Sequence, residues 1–335
     1  MPSTHAPFLE SPDLSVPQLH RVMEIFFNTF GISQDRSGAV EIFPATISEQ
    51  KLALFKEYNV SRISVGVQSF LQTELRTIAR GTTTNQITSC LEMVKQLNFP
   101  VTNVDLIYGI PGQTPDTLAE SLKTALSFDI EQIFLYPLYI RDLTPLKGKS
   151  ISENALLLYQ TGRDILLGNG YVQDSMRMFR KPAPNDLKNS DEYCCQEDGM
   201  IGLGTNARSV HYATPYAVGQ TQIKQLIESY IKLDQNDFKT AGHGIILSMK
   251  ERKRRYLIKS ILKCRGMKKQ DYFKYFGSDC ESDFVQIHRL KEKGLLVDCG
   301  THIKLTEKGI MYSDAIGPFF ISKAIGRRMA SHPAI

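Results

Sequence analysis

Two short apolar segments, separated by a helical segment, constrain the fold of this chain more than any other feature. Residues 62–70 (RISVGVQSF) and 103–111 (NVDLIYGIP) are runs of strand-forming residues that end at polar, Gly or Pro positions. Between them, residues 87–97 (ITSCLEMVKQL) place apolar residues at helical spacing. A strand, a helix and a second strand in this order form a βαβ unit, so the two strands are predicted to be parallel neighbours.

Further segments extend this alternation of strands and helices. We predict an irregular start at 1–12, four strands at 38–43, 62–67, 102–108 and 132–139, and helices at 16–30, 48–58, 71–80, 84–97 and 114–127. The fold class is therefore α/β with a parallel sheet. Four strands cannot close an eight-stranded barrel, so we expect an open arc with an exposed parallel edge. Because natural proteins rarely leave such an edge bare, either a partner covers it or the chain is incomplete.

The C-terminal part of the chain differs in composition from about Ser248. Residues 250–269 are rich in Lys and Arg, and three helical segments precede a predicted hairpin around Gly300. This order is typical of a winged helix, which is either a DNA-binding or a packing module. The third helical segment, DFVQIHRLKEKG, mixes charge signs and lacks a base-reading face, so nucleic-acid binding is disfavoured. We predict three regions: a partial α/β barrel (1–150), a substrate-side connecting region (151–247) and a winged-helix-like module (248–335).

Charge and hydropathy patterning limit the function classes. Of the 335 residues, 42% are hydrophobic and 22% are charged, as in ordinary soluble proteins. No apolar run approaches the roughly 18 residues of a membrane span. The first residues lack the apolar core of a signal peptide, so we expect a cytoplasmic protein without a membrane partner. The net charge of +5 is compatible with an anionic small substrate.

The cysteines do not have the spacing of a metal site. The six are Cys90, Cys194, Cys195, Cys264, Cys280 and Cys299. No pair has Cys-x-x-Cys spacing, and adjacent cysteines are poorly placed to bind one metal together. We therefore expect reduced thiols and no metal ligands in this chain.

Four polar residues lie at or near the ends of predicted strands. Glu41 and Gln68 end two strands, Asp105 lies within the third, and Arg80 closes a predicted helix. Because the carboxyl ends of parallel strands carry the chemistry in barrels, these residues are site candidates. The alternatives are solvation for the carboxylates, and pairing with Glu74 or the helix terminus for Arg80. Asp105 is flanked by apolar residues, and a buried carboxylate needs donors or a ligand.

The segments RISVGVQSF and VDLIYGIPGQT, with the helix between them, resemble the radical S-adenosylmethionine (radical SAM) enzymes. More narrowly, they are similar to the oxygen-independent coproporphyrinogen III oxidase-like family, from about Phe8 to the C-terminus. The resemblance implies a partial (β/α) barrel of about four strands with a winged-helix-like C-terminal module. It also implies S-adenosyl-L-methionine, a 4Fe–4S cluster, and oxidative decarboxylation of porphyrinogen propionates in porphyrin biosynthesis. The branch also contains radical methyltransferases and haem-binding relatives, so the substrate stays open.

The resemblance assigns a cofactor role to the polar residues at the strand ends. Glu41, followed by Pro44, matches the family's Glu-x-x-Pro strand end, which contacts S-adenosylmethionine. Gln68, Arg80 and Asp105 match the other S-adenosylmethionine-binding positions. The amino, carboxylate, ribose and sulfonium groups of the ligand suit such a mixed set of side chains.

Three arginines are candidates on the substrate side. Arg177, Arg180 and Arg208 could meet the carboxylates of a tetrapyrrole, and the alternative is solvated surface. Arg208 lies in GLGTNARS, which resembles the Gly-rich segment before the tail of the family.

The sequence departs from the family in the cluster motif. The family holds three irons with Cys-x-x-x-Cys-x-x-Cys and leaves the fourth iron for S-adenosylmethionine, and this motif does not occur here. Where the family has Gly-Gly-Gly-Thr-Pro, this chain reads STHAP, and only Pro7 matches. We therefore expect a truncated, inactive radical SAM oxidoreductase whose partners are a small molecule such as a tetrapyrrole and a separate N-terminal fragment. The alternative is a non-catalytic remnant or a haem/tetrapyrrole-binding protein.

Overall fold

The predicted βαβ unit is present in the computed structural model of this protein, where the two strands are parallel neighbours. The structure describes residues 8–10, 14–30, 38–140, 146, 154–182, 202–203, 209–211, 214–216, 223–239 and 246–331. The chain divides into two units, residues 1–184 and 185–335. The three-region division stays a prediction.

The first unit is built on a seven-stranded sheet in the order β1-β2-β3-β4-β5-β7-β6. Its strands are β1 (Phe8–Glu10), β2 (Gly38–Ile42), β3 (Val60–Gln68), β4 (Val101–Tyr108), β5 (Gln132–Pro137), β6 (Val172–Gln173) and β7 (Met178–Arg180). Strands β1 to β5 are parallel, and β7 runs antiparallel to both β5 and β6. The predicted parallel α/β sheet is confirmed. It contains one more parallel strand than predicted, and the edge beyond β5 is covered by β7.

The helices of the first unit pack on one face of this sheet. They are α1 (Val16–Phe30), α2 (Glu49–Glu57), α3 (Gln72–Thr77), α4 (Thr84–Gln96), α5 (Pro115–Ser127) and α6 (Ala155–Gly168). Alternate strand residues on the helix-facing side are fully buried, for example Ile63, Val104 and Leu135. Gly162 of α6 allows close approach, because a Cβ there would lie 2.6 Å from a Leu135 methyl. The opposite face is therefore left for the polar residues of the strands.

Side-chain caps fix where the helices that follow the strands begin. Thr83 and Thr114 each form a capping box with the third residue of their helix. Pro115 occupies the first turn of α5, where its missing N–H costs nothing. The predicted start of this helix is confirmed.

The second unit contains short helices and a three-stranded sheet in the order β10-β12-β11. Its elements are β8 (Ser209–His211), β9 (Thr214–Tyr216), α7 (Ile223–Tyr230), a 3₁₀ turn (Asp237–Lys239), α8 (Met249–Ile261), β10 (Met267–Lys268), α9 (Lys269–Phe276), α10 (Cys280–Asp283), α11 (Gln286–Glu292), β11 (Leu296–Asp298), β12 (His302–Leu305), α12 (Glu307–Met311), α13 (Ser313–Phe319) and α14 (Lys323–Ser331). Strands β11 and β12 form the predicted hairpin around Gly300. Helices followed by a hairpin match the predicted winged-helix-like order. Among the described helices, none has the length and apolar composition needed to cross a membrane.

Candidate ligand-binding site

Polar side chains line the face of the first sheet that the helices leave uncovered. In the strand register, Glu41 is aligned with Ser64, Ser64 with Asn103, and Asn103 with Gln132. Aligned residues of parallel strands point to the same side, so these four form a polar row across β2 to β5. Asp105 lies two residues further along β4 and therefore on the same face.

Asp105 is a buried carboxylate held by neighbouring polar groups. Only 9% of the residue is exposed. Asn103 Nδ2 donates a hydrogen bond to its Oδ1 at 2.8 Å, and Ser64 Oγ donates a longer one to its Oδ2 at 3.4 Å. Burial raises the pKa of Asp105, against the opposing effects of the Asn103 bond, the Arg62 charge and the Ser64 bond.

Gln68 ends β3 in a left-handed conformation, with φ of 70°. The register with β4 shifts between Gly66 and Gln68, so the strand ends in a bulge that redirects this side chain. A Cβ on Gly66 would lie 3.3 Å from Gln68 Nε2. Gly66 is the register partner of Asp105, so the amide of Gln68 lies over the strand beside this carboxylate.

Arg80 and Glu41 belong to the same region. The Arg80 guanidinium lies 4.8 Å from the centroid of the Phe43 ring. Burial lowers the pKa of Arg80, and the charge of Glu41 opposes this shift. Arg80 does not close a helix as predicted, because α3 ends three residues earlier at Thr77. The alternative role for Arg80, pairing with Glu74, is not what the structure shows, because Glu74 Oε2 accepts hydrogen bonds from Ser69 and Gln113.

Tyr136 of β5 adds a phenol to the group of polar residues that includes Asp105 and Glu41. Burial raises the pKa of this phenol to about 12, with further contributions from the charges of Asp105 and Glu41. The charges of Asp105 and Glu41 therefore both act on the Tyr136 phenol. The sequence analysis did not identify Tyr136, Ser64 or Asn103. The alternation of polar residues within 103–105 was the available signal for Asn103.

A second buried polar network fixes the loops after β3 and β4. Glu74 Oε2 accepts hydrogen bonds from Ser69 Oγ at 2.6 Å and from Gln113 Nε2 at 3.1 Å. Gln113 also accepts from the backbone N–H of Gly109 at 2.7 Å, and Ser121 of α5 accepts from the backbone N–H of residue 70. The network joins the segment after Gln68 to the segment after β4, so it sets the shape of the strand ends.

The predicted substrate arginines lie in different environments. The Arg177 guanidinium is 5.8 Å from the Tyr136 ring centroid and 5.5 Å from that of Tyr139, whose hydroxyl it contacts. Arg180 instead pairs with Asp174, with Nε to Oδ2 at 2.6 Å, and donates to a backbone carbonyl. Arg208 lies outside the described residues. Of the two described arginines, Arg177 adjoins the site through Tyr136.

The described residues fit S-adenosylmethionine better than an iron–sulfur cluster. Carboxylates, an amide and a guanidinium offer acceptors and donors for its amino, hydroxyl and carboxylate groups. Asn103 Oδ1, a buried acceptor on the same face, has no hydrogen-bond partner within the described structure. For a cluster, no group of three His, Cys, Asp or Glu residues suits a metal ion in the described part of the chain. Burial raises the pKa of Cys90 to about 12, whereas iron ligands are thiolates.

Two family models match this chain. The Radical SAM superfamily model matches residues 16–125, and the HemN C-terminal domain model matches residues 247–312. The heme chaperone HemW of Bacillus subtilis is 26% identical over 319 residues, which are 91% of this chain and 82% of that protein. The oxygen-independent coproporphyrinogen III oxidase of Escherichia coli is 26% identical over 267 residues, which are 74% of this chain and 57% of that protein.

A solved structure has the same fold. Coproporphyrinogen III oxidase (HemN) from Escherichia coli superposes with a TM-score of 0.78 at 22% identity, covering 94% of this chain and 78% of that one. The predicted fold class and the predicted resemblance are confirmed.

Proposed function

Because residues 16–125 match the Radical SAM superfamily, whose members use S-adenosylmethionine and a 4Fe–4S cluster, we propose that this chain binds S-adenosyl-L-methionine at the strand ends. The proposed ligand-binding residues are Glu41, Gln68, Arg80 and Asp105. The observation that carries the proposal is Asp105, a buried carboxylate on the polar face of the sheet whose neighbours leave part of its acceptor capacity unused.

Each residue offers a group that matches part of this ligand. Asp105 is suited to accept from ribose hydroxyls, and Glu41 from the amino group. The Arg80 guanidinium is suited to the carboxylate of the methionine moiety. Gln68 both donates and accepts, and its amide lies near Gly66, the register partner of Asp105. Since the described residues do not fit a cluster, the role proposed for them is binding and orientation of the cofactor.

The second proposed ligand is a tetrapyrrole. Phe134 and Tyr136 stack with ring centroids 5.6 Å apart and planes 12° apart, and Arg177 lies over Tyr136. A pair of parallel aromatic rings beside a guanidinium suits a flat macrocycle that bears carboxylates. The proposed reaction class is oxidative decarboxylation of porphyrinogen propionates. It requires cluster ligands beyond those that the described residues bring together.

A haem- or tetrapyrrole-binding protein without this reaction is the second candidate. It is supported by the match to heme chaperone HemW, which spans 82% of that protein, against 57% of the Escherichia coli oxidase. Haem binding without consumption of coproporphyrinogen favours this candidate, and consumption of coproporphyrinogen favours the oxidase.

Isothermal titration with S-adenosylmethionine tests the cofactor proposal. We expect saturable binding of one ligand per chain, weakened by Asp105→Ala and unaffected by Asp164→Ala, whose side chain is 72% exposed. A titration with hemin, followed by its absorbance, tests the tetrapyrrole proposal. Arg177→Ala should weaken hemin binding and Arg76→Ala, at an exposed position of α3, should not. The cofactor proposal is refuted if Asp105→Ala binds S-adenosylmethionine as tightly as the wild type. The tetrapyrrole proposal is refuted if Arg177→Ala binds hemin as tightly as the wild type.

A further inference from the structure

Asn103 is a fully buried amide in the middle of the polar face. Its exposed fraction is 0%, and it lies between Ser64 on β3 and Asp105 on its own strand. Its Nδ2 donates to Ser64 Oγ at 2.7 Å and to Asp105 Oδ1 at 2.8 Å. An amide nitrogen has two protons, so both are used.

These contacts fix the carboxylate of Asp105 at both oxygens. Ser64 Oγ accepts a hydrogen bond from Asn103 and donates one to Asp105 Oδ2 at 3.4 Å. Such a chain of donors strengthens each bond in it. Each carboxylate oxygen receives one donor and keeps further acceptor capacity for a ligand.

The orientation of the Asn103 amide is set by Asp105. The reversed amide would place Oδ1 against a carboxylate oxygen, and two acceptors repel. The orientation present leaves Asn103 Oδ1 buried without a hydrogen-bond partner in the described structure. A buried unpaired acceptor destabilises a fold, so an apolar residue of similar volume would serve packing better. The amide is therefore explained by what it does to Asp105.

We propose that Asn103 is a positioning residue, which orients the Asp105 carboxylate so that its remaining lone pairs accept the hydroxyls of the ribose of the ligand. This inference rests on the proposed binding of S-adenosylmethionine. Asn103 acts through Asp105 and has no ligand contact of its own in this proposal. The charged and titratable groups around Asp105 are Arg62 on β3, whose charge acts on it directly, and Tyr136 on β5, which the charges of Asp105, Arg177 and Glu41 all affect. Asn103 differs from them because it acts through a direct hydrogen bond.

The first test needs no ligand. Carbon-13 NMR of the full chain labelled at aspartate carboxyls gives the pKa of Asp105, and Asp105→Asn identifies its signal. Asn103→Leu should raise this pKa, because the ionised form loses a donor. Ser64→Ala should raise the pKa of Asp105 by a smaller amount. If Asn103→Leu does not fold, the pKa of Asp105 in Ser64→Ala is the deciding measurement. The control is Thr102→Val, which replaces the buried residue before Asn103 by one of the same shape. It should leave the pKa of Asp105 unchanged. An unchanged pKa in Asn103→Leu or, failing that, in Ser64→Ala would overturn the proposal.

The second test measures the dissociation constant of S-adenosylmethionine. Asn103→Leu should weaken binding about tenfold in the wild-type background and less than about twofold in an Asp105→Asn background, because its effect passes through the carboxylate. Equal weakening in both backgrounds would show a general structural role and overturn the proposal. If the wild-type chain binds no S-adenosylmethionine, the proposed function fails. The NMR result then still decides whether Asn103 controls Asp105.

Discussion

Replacing Asp105 with Asn is expected to weaken cofactor binding without lowering the stability of the fold. The residue is 9% exposed and accepts hydrogen bonds from Asn103 and Ser64. Asparagine has the same shape, its Oδ1 can still accept from Asn103, and its Nδ2 can donate to Ser64 Oγ. The substitution therefore keeps the packing and removes the charge.

The expected loss of affinity follows from this missing charge. A hydrogen bond to a charged group contributes about 1.5–3 kcal/mol, and one between neutral groups about 0.5–1.5 kcal/mol. With two ribose hydroxyls as donors, the loss is about 2 kcal/mol, which is about 30-fold in the dissociation constant.

Asp105→Asn should lower the affinity for the ligand but not the stability of the fold, and its effect on stability depends on pH. Burial raises the pKa of Asp105 in the folded state above that in the unfolded chain. The folded state therefore binds the proton more tightly, and the wild type loses stability as pH rises from about 3.9 through the raised pKa. Asparagine has no such loss. The variant should be at least as stable as the wild type near neutral pH, and the difference should shrink below about pH 4.

Two measurements check this prediction. Isothermal titration gives the affinity for S-adenosylmethionine, and thermal unfolding between about pH 4 and pH 8 gives the stability profile. Asp164→Asn, at a side chain that is 72% exposed, is the control and should change stability by less than about 0.5 kcal/mol. The reasoning is refuted if Asp105→Asn keeps the wild-type affinity while losing about 2 kcal/mol of stability near neutral pH.

Three further substitutions test the site and the packing that supports it. Gly66→Ala places a Cβ 3.3 Å from Gln68 Nε2, so it should displace this amide and raise the dissociation constant of S-adenosylmethionine about threefold to tenfold; an unchanged titration would mean that Gln68 does not contact the ligand. Gln113→Leu removes its bonds to the Gly109 N–H and to Glu74 and should lower the free energy of unfolding by about 2–4 kcal/mol. Urea denaturation measures this, and a change within about 0.5 kcal/mol would show that the network is not stabilising. Gly162→Ala brings a Cβ to 2.6 Å from a side chain of β5. Overpacking should exceed the gain in helix propensity and lower thermal stability by about 1 kcal/mol, whereas a stabilised variant would contradict the close packing of α6.

The sequence predicted the elements with a long apolar pattern. Strands β3 and β4, and helix α4 between them, have enough residues for their periodicity to be read. Strand β1 was assigned to an irregular start because its three residues show no period. The antiparallel pair β6 and β7 was missed because its strands are also too short to show a period. In addition, the pairing of β7 is decided by contacts with β5, which local sequence does not show.

The candidate site was predictable where local sequence carried the signal. Asp105 was singled out because a carboxylate within an apolar run needs partners, and the structure provides them. The left-handed conformation of Gln68 was not predictable, because a non-glycine residue adopts it only when tertiary contacts hold it there. The approach of Arg177 to Tyr136 joins residues that are far apart in sequence, so no local pattern indicates it.

Hydrogen–deuterium exchange of the full chain, with and without S-adenosylmethionine, tests the location of the proposed cofactor site most directly. We predict slower exchange in peptides that cover the ends of β2, β3 and β4, and this protection should be lost in Asp105→Ala. Protection confined to residues 246–331, or none at saturating ligand, would contradict the account.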